Sequence, residues 1–182
     1  MIAASWFSSR ILPALLITSA LLMGCQKDKA NQPTPAKNVV QTLGEKPEFS
    51  TLTAALVKTG LDRFLGSPTE QVTVFAPTNA AFSLLPAPFT DVASVSAITD
   101  SGQVAQLRTL LSYHIVNKKV NAADIASGNT QLPILINNQK LRFAPVSKTA
   151  QGLFINGNAK VVTPDIQASN GVIHGIDHVI VP

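Results

Sequence analysis

From Gly171 to Val181 the chain reads GVIHGIDHVIV, a run broken only by Asp177 and two histidines. A stretch so continuously apolar is expected of a strand covered on both faces. A sheet with one wet face alternates apolar and polar residues instead. This run therefore sets the main demand on the fold, because something must cover the sheet from each side.

The rest of the chain can meet that demand. Beyond residue 24 there remain 158 residues, enough for one domain burying about 70% of its unfolded surface without a metal or disulfide staple. EFSTLTAALVKTGLDRFLG, residues 48–66, places Leu52, Ala55 and Leu56 at helical spacing, with Ser50 as a start cap. Gly60 is placed to end that helix in a left-handed turn before a short piece, LDRFL. QVTVFAPT, residues 71–78, reads as a strand stopped by Pro77, and Thr78 or Asn79 can cap a short helix after it. Residues 86–103, with two prolines, several serines and Gly102, read as a long irregular connection. VAQLRTLLSYHIV, residues 104–116, puts Val104, Leu107, Leu111 and His114 on one helical face. From Lys119 onward strands are expected, starting with KVNAADI and QLPILIN, with turn signals at Asn137-Asn138 and Asn156-Gly157-Asn158. Helices first and a mainly antiparallel sheet later make an α+β arrangement.

Three segments carry a resemblance. TVFAPTNAAF (Thr73–Phe82), LLSYHIV (Leu110–Val116) and NGVIHGIDHVIVP (Asn170–Pro182) resemble, in order, the first signature, the central Tyr-His segment and the closing signature of fasciclin-like domains. The resemblance spans residues 38–182. It implies a wedge of about seven β-strands, mostly antiparallel, with several α-helices packed against it. It also implies a role in adhesion and in extracellular-matrix or surface contact. Gly175 departs from the pattern, since members usually carry a branched aliphatic there. Its missing side chain suggests looser packing or a bulge in the last strand.

The N-terminus carries a second resemblance. Ile11–Met23 is a 13-residue run without charge, preceded by Arg10, and is too short for a membrane span of about 20 residues. It fits a secretory signal over residues 1–24. Leu22-Met23-Gly24-Cys25 resembles the lipobox of bacterial lipoproteins, which implies a lipid on Cys25, the only cysteine of the chain. The competing reading is an ordinary signal peptide with a chance cysteine. One acyl chain anchors only marginally, and stable anchoring needs two or more. Residues 25–37 are polar, hold Pro33 and Pro35, and read as a lipidated N-terminus with a tether. About 12 such residues reach at most ~40 Å. Gln26 is not the Asp that retains lipoproteins at an inner membrane, so an outer membrane is the expected address where a cell has one.

The candidate site residues each have a plain alternative. By resemblance, Tyr113 and His114 are contact residues; on residue chemistry alone, His114 is a buried, hydrogen-bonded histidine. Asp165 and Ile166 match a short Asp-Ile contact element of some animal members, against an ordinary strand or turn role. Pro77, Thr78, Asn79 and His174 read as structural motif residues. His174 and His178 lie four residues apart, about 13 Å along a regular strand, too far to share one metal ion. No Gly-x-Ser-x-Gly element accompanies the serines, and neither catalysis nor a cofactor is expected. The formal net charge is +4 with Lys118-Lys119 as the only adjacent basic pair, so no stripe suits nucleic acid. The expectation is a monomeric, lipid-anchored, extracytoplasmic domain contacting a surface or matrix protein or polymer. A carrier or sensor for a small apolar ligand or glycan is the alternative.

Overall fold

The computed structural model describes residues 37–125, 128–134 and 142–181. The signal segment, Cys25, the tether up to residue 36 and the Asn137-Asn138 turn lie outside the described residues. Among the described residues, helices come first. They are α1 (Val39–Gly44), a 3-10 turn (Pro47–Phe49), α2 (Ser50–Thr59) and α3 (Leu61–Leu65). After β1 (Val72–Pro77) follow α4 (Asn79–Phe82), α5 (Val92–Ala97) and α6 (Ser101–Ser112). The remaining strands are β2 (Ile115–Val116), β3 (Gly128–Ile134), β4 (Arg142–Thr149), β5 (Gly152–Ile155), β6 (Ala159–Ala168) and β7 (Gly171–Ile176).

The seven strands form one closed ring in chain order, and β7 closes it by pairing with β1. Neighbours are antiparallel except at this closure, where β1 and β7 run parallel from Val72↔Gly171 to Pro77↔Ile176. Every residue of β1 and of β7 is buried. The two-residue period of a strand divides their side chains between two cores. Val72, Val74, Ala76 and Ile173 pack with Leu52, Leu56, Leu107 and Leu111 of the helices. Phe75 and Ile176 pack with Val116, Val146 and Ile155 in a second cluster on the other face. The demand for cover on both sides is met by helices on one side and by the ring closing on itself on the other.

Local chemistry explains the helix limits. Gly60 ends α2 at φ 70°, and its N–H reaches the carbonyls of Leu56 and Val57. Asp100 caps α6 by accepting from the Gln103 N–H at 2.8 Å, so α6 begins three residues before Val104. It stops at Ser112, because Ile115 and Val116 are committed to pairing with Val74 and Thr73. His114 therefore lies past the helix and not on its face. Residues 86–103 are not wholly irregular either: Asp91 accepts from the Ser94 N–H at 2.9 Å and starts α5. That helix has only Val95 buried, too little apolar periodicity to read from sequence. Ser50 does not cap α2; it is the first helical residue.

Two further corrections concern the sheet. KVNAADI forms no strand, and its backbone is bonded largely by side chains from other elements, as described below. Gly175 does sit beside an irregularity, since β6 shifts register on either side of Thr163, the residue opposite Gly175. Packing there is not loose, however. A Cβ at Gly175 would lie 3.1 Å from Phe49 Cζ and 3.2 Å from Thr163 Cβ, so the ring of Phe49 takes the room that a branched side chain would need.

Candidate functional site

The strand-to-helix turn at Pro77-Thr78-Asn79 is built for support. Pro77 closes β1, and Thr78 caps α4 by accepting from the Ala81 N–H at 3.3 Å. Asn79 reaches away from its own helix. Its Oδ1 accepts from the Thr51 N–H at 3.1 Å and its Nδ2 donates to the Pro47 carbonyl at 2.9 Å. The N-cap of α2 is Phe49, which has no polar side chain to offer, so Asn79 caps that helix from 28 residues away.

His114 is 1% exposed. Its Nε2 accepts from the Ile180 N–H at 2.9 Å, which places the proton on Nδ1, donated to the Leu110 carbonyl at 2.8 Å. The ring ties the last turn of α6 to the segment after β7. Burial pushes its pKa down to about 4, against a smaller raising effect of the Leu110 bond. Tyr113 is half-buried and packs against the Phe75 cluster. The Tyr-His pair thus offers a partner part of a tyrosine and none of the histidine.

His174 and Asp165 serve a different segment. His174 is fully buried and stacks on Phe75 with ring centroids 5.6 Å apart. Its Nδ1 accepts from the Asp165 N–H at 3.1 Å, and its Nε2–H donates to the Val120 carbonyl at 3.0 Å. Burial lowers its pKa, opposed by the Val120 bond and the Asp165 charge. Asp165 sits at φ 57°, in the irregular part of β6, and its Oδ1 accepts from the Ala122 N–H at 2.8 Å. Thr73 Oγ1 donates to the Lys118 carbonyl and accepts from the Val120 N–H. Lys148 Nζ donates to the Ala122 carbonyl at 3.2 Å. The Lys118 carbonyl and both main-chain groups of Val120 and Ala122 are thus satisfied by side chains of β1, β4, β6 and β7, and Asn121 bonds to Asp124, which is why this stretch needs no ladder. Ile166 is half-buried against the helix-side core. His178 is close to Asp177, with Nδ1 2.9 Å from its Oδ1. Among the described residues no three His, Cys, Asp or Glu side chains group closely enough to hold a metal ion.

Sequence reasoning missed Asn170. It is 1% exposed, and its Oδ1 accepts from the Val39 N–H at 2.9 Å. Its Nδ2 donates to the carbonyls of Leu65 at 2.7 Å and Ser67 at 2.8 Å. One amide therefore fastens α1, the end of α3 and the entry to β7. The Asn-Gly pair before the closing run was the available signal, and it reads as a turn. Asn170→Ala should cost about 2–3 kcal/mol, because the buried Val39 N–H and two carbonyls lose their partner. Chemical denaturation checks this; a loss below about 1 kcal/mol would mean that water replaces the amide.

A groove of about 540 Å³ lies against α6, lined by Leu85, Pro86, Phe89, Leu107, Leu110 and Val181 among others. None of its lining side chains is charged.

Residues 47–182 match the fasciclin domain family. The chain is 36% identical over 147 residues to Protein sll1483 of Synechocystis, covering 81% of this chain and 74% of that one. It is 34% identical over 173 residues to Immunogenic protein MPB70 of Mycobacterium bovis, covering 87% of this chain and 80% of that one. Transforming growth factor-beta-induced protein ig-h3 of Oryctolagus cuniculus is 32% identical over 149 residues, covering 82% of this chain but 20% of that protein. Among solved structures, a FAS1 domain pair from the insect cell adhesion molecule Fasciclin I has the same fold. Its TM-score is 0.66 at 20% identity, over 81% of this chain and 52% of that one.

Proposed function

The chain belongs to the fasciclin domain family, and from that premise we propose that it is a lipid-anchored, extracytoplasmic domain mediating adhesion or surface contact by non-catalytic binding. The observation that carries this reading is the family match over residues 47–182, together with a shared fold in a protein described as a cell adhesion molecule. None of the relatives named above carries an enzyme name. The buried polar motif groups support contact over chemistry, because His114, His174 and Asn170 spend their polar atoms on internal bonds. The partner, a surface or matrix protein or polymer, then meets the exposed outside of the domain. No helix among the described residues is long and apolar enough to cross a membrane. The proposal assigns the membrane hold to a lipid on Cys25 and the stand-off to the polar tether. Dense display on one membrane lets weak single contacts act together.

Cys25→Ser tests the anchor and the function at once. The mutant should leave the membrane fraction, and cells carrying it should attach as poorly as a deletion strain. A mutant that still pellets after a salt wash would overturn the anchor; full attachment by the deletion strain would overturn adhesion. The groove beside α6 favours a second reading, a carrier for a small apolar ligand, since its size falls in the range of ligand pockets, about 300–1,000 Å³. Tight one-to-one calorimetric binding of an envelope metabolite, with attachment unaffected by deletion, would select it.

A further inference from the structure

We propose that His114 is an acid-sensitive clasp that holds the closing segment, residues 177–181, against the end of α6, so that protonation frees this segment before the rest of the domain unfolds. The segment follows β7 and belongs to no strand. Asp177 fastens its start through two bonds with the backbone of Lys160, at 3.1 and 2.8 Å. Farther along, its backbone bonds to other elements among the described residues are the Ile180 N–H to His114 at 2.9 Å and the Val181 carbonyl to Asn156 Nδ2 at 3.4 Å. The second is long, so His114 is the main polar hold on this part of the segment. The side chains beside that hold matter to both cores: Val179 packs in the helix-side cluster and Ile180 in the cluster on the other face. Val181 is 55% exposed and forms part of the wall of the apolar groove.

The chemistry of the clasp is one-way. Neutral His114 gives its Nδ1 proton to Leu110 and keeps a lone pair on Nε2 for Ile180. A solvent proton taken up at Nε2 converts that acceptor into a donor facing another N–H, so the Ile180 bond is lost while the Leu110 bond remains. No charge compensates the resulting imidazolium. Beside the ring stand α6, β1, whose Phe75 N–H donates to the His114 carbonyl, and the closing segment. Arg108 of α6, and Lys118 and Lys119 beyond β2, are exposed; Asp177 and His178 are half-buried; β1 carries no charged residue. Desolvation and the Leu110 carbonyl are what act on the ring. The open segment restores an ordinary histidine. The opening equilibrium should therefore rise about 20-fold between pH 7 and pH 5, from a folded pKa of about 4 and an open one of 6.5.

Amide hydrogen exchange on the purified mature chain, corrected for intrinsic pH dependence, reads this directly. The Ile180 amide should exchange through an opening of lower free energy than amides of β1 and β7 at both pH values, and should lose about 20-fold in protection between pH 7 and pH 5. In His114→Gln, whose side chain does not titrate, the Ile180 protection should no longer depend on pH. Equal protection of Ile180 and of the β1 and β7 amides would overturn the proposal, as would an unchanged pH dependence in the variant. If His114→Gln does not fold, wild-type NMR decides: the Ile180 amide shift must titrate with the midpoint of the His114 ring nitrogens, and a midpoint matching His174 or neither would overturn the clasp.

Discussion

Gly171→Ala is expected to remove at least about 4 kcal/mol of stability, the scale of a core clash that cannot relax, and to lower Tm by about 10 °C or more. Gly171 starts β7 opposite Val72, in the one parallel pairing of the ring. A Cβ there would lie 2.1 Å from the Val72 carbonyl oxygen and 3.1 Å from Val39 Cγ2. The first of these is backbone in a strand buried on both faces, so it has nowhere to move. Asn170, immediately before it, is fixed by its three bonds to α1, Leu65 and Ser67, which prevents β7 from backing away. Gly157→Ala is the control. Gly157 has φ 71° and nothing within 4 Å of its would-be Cβ, so alanine there should cost only the left-handed backbone penalty, about 1–2 kcal/mol. Thermal melts of both variants separate the two causes. Equal, small shifts would mean that β1 and β7 can part without cost, and that the ring does not depend on this closure.

The second large effect is a loss of stability in mild acid. Burial holds His114 at about 4 and lowers His174 as well, whereas both titrate near 6.5 once unfolded. Above pH 6.5 neither state takes up a proton and stability is level. Below 6.5 the unfolded chain binds protons that the folded chain refuses, so stability falls as pH falls, and the contribution of His114 levels off near pH 4. That contribution amounts to about 3 kcal/mol, and His174 adds loss in the same direction. Below the usual carboxylate range the loss should continue, because Asp91 and Asp124 accept hydrogen bonds from Ser94 and Asn121 that hold their carboxyls low. Denaturation at pH 7.5, 5.5 and 4.0 checks the slope. Stability unchanged between pH 7.5 and 4.0 would mean that water reaches both rings in the folded protein.

What the sequence determined by itself was local or strongly patterned. The closing run demanded cover on both faces, Gly60 ended a helix where a left-handed residue was needed, and Thr78 stood where a cap was required. Each of these follows from a few adjacent residues. The order of the three signature segments identified the family. Tertiary structure decided what depends on partners distant in the chain. KVNAADI reads as a strand in the sequence, yet Thr73, His174, Asp165 and Lys148 take up the main-chain groups of Val120 and Ala122 and leave it irregular. VAQLRTLLSYHIV has helical periodicity to its end, yet β1 takes Ile115 and Val116. Asn79 looks like a cap for its own helix and caps α2 instead. His114 could be named from sequence as a residue of interest, but its bond to Ile180 spans 66 positions. A side-chain hydrogen bond leaves no periodic trace in the chain, because it fixes two residues whose separation is set only when the layers pack.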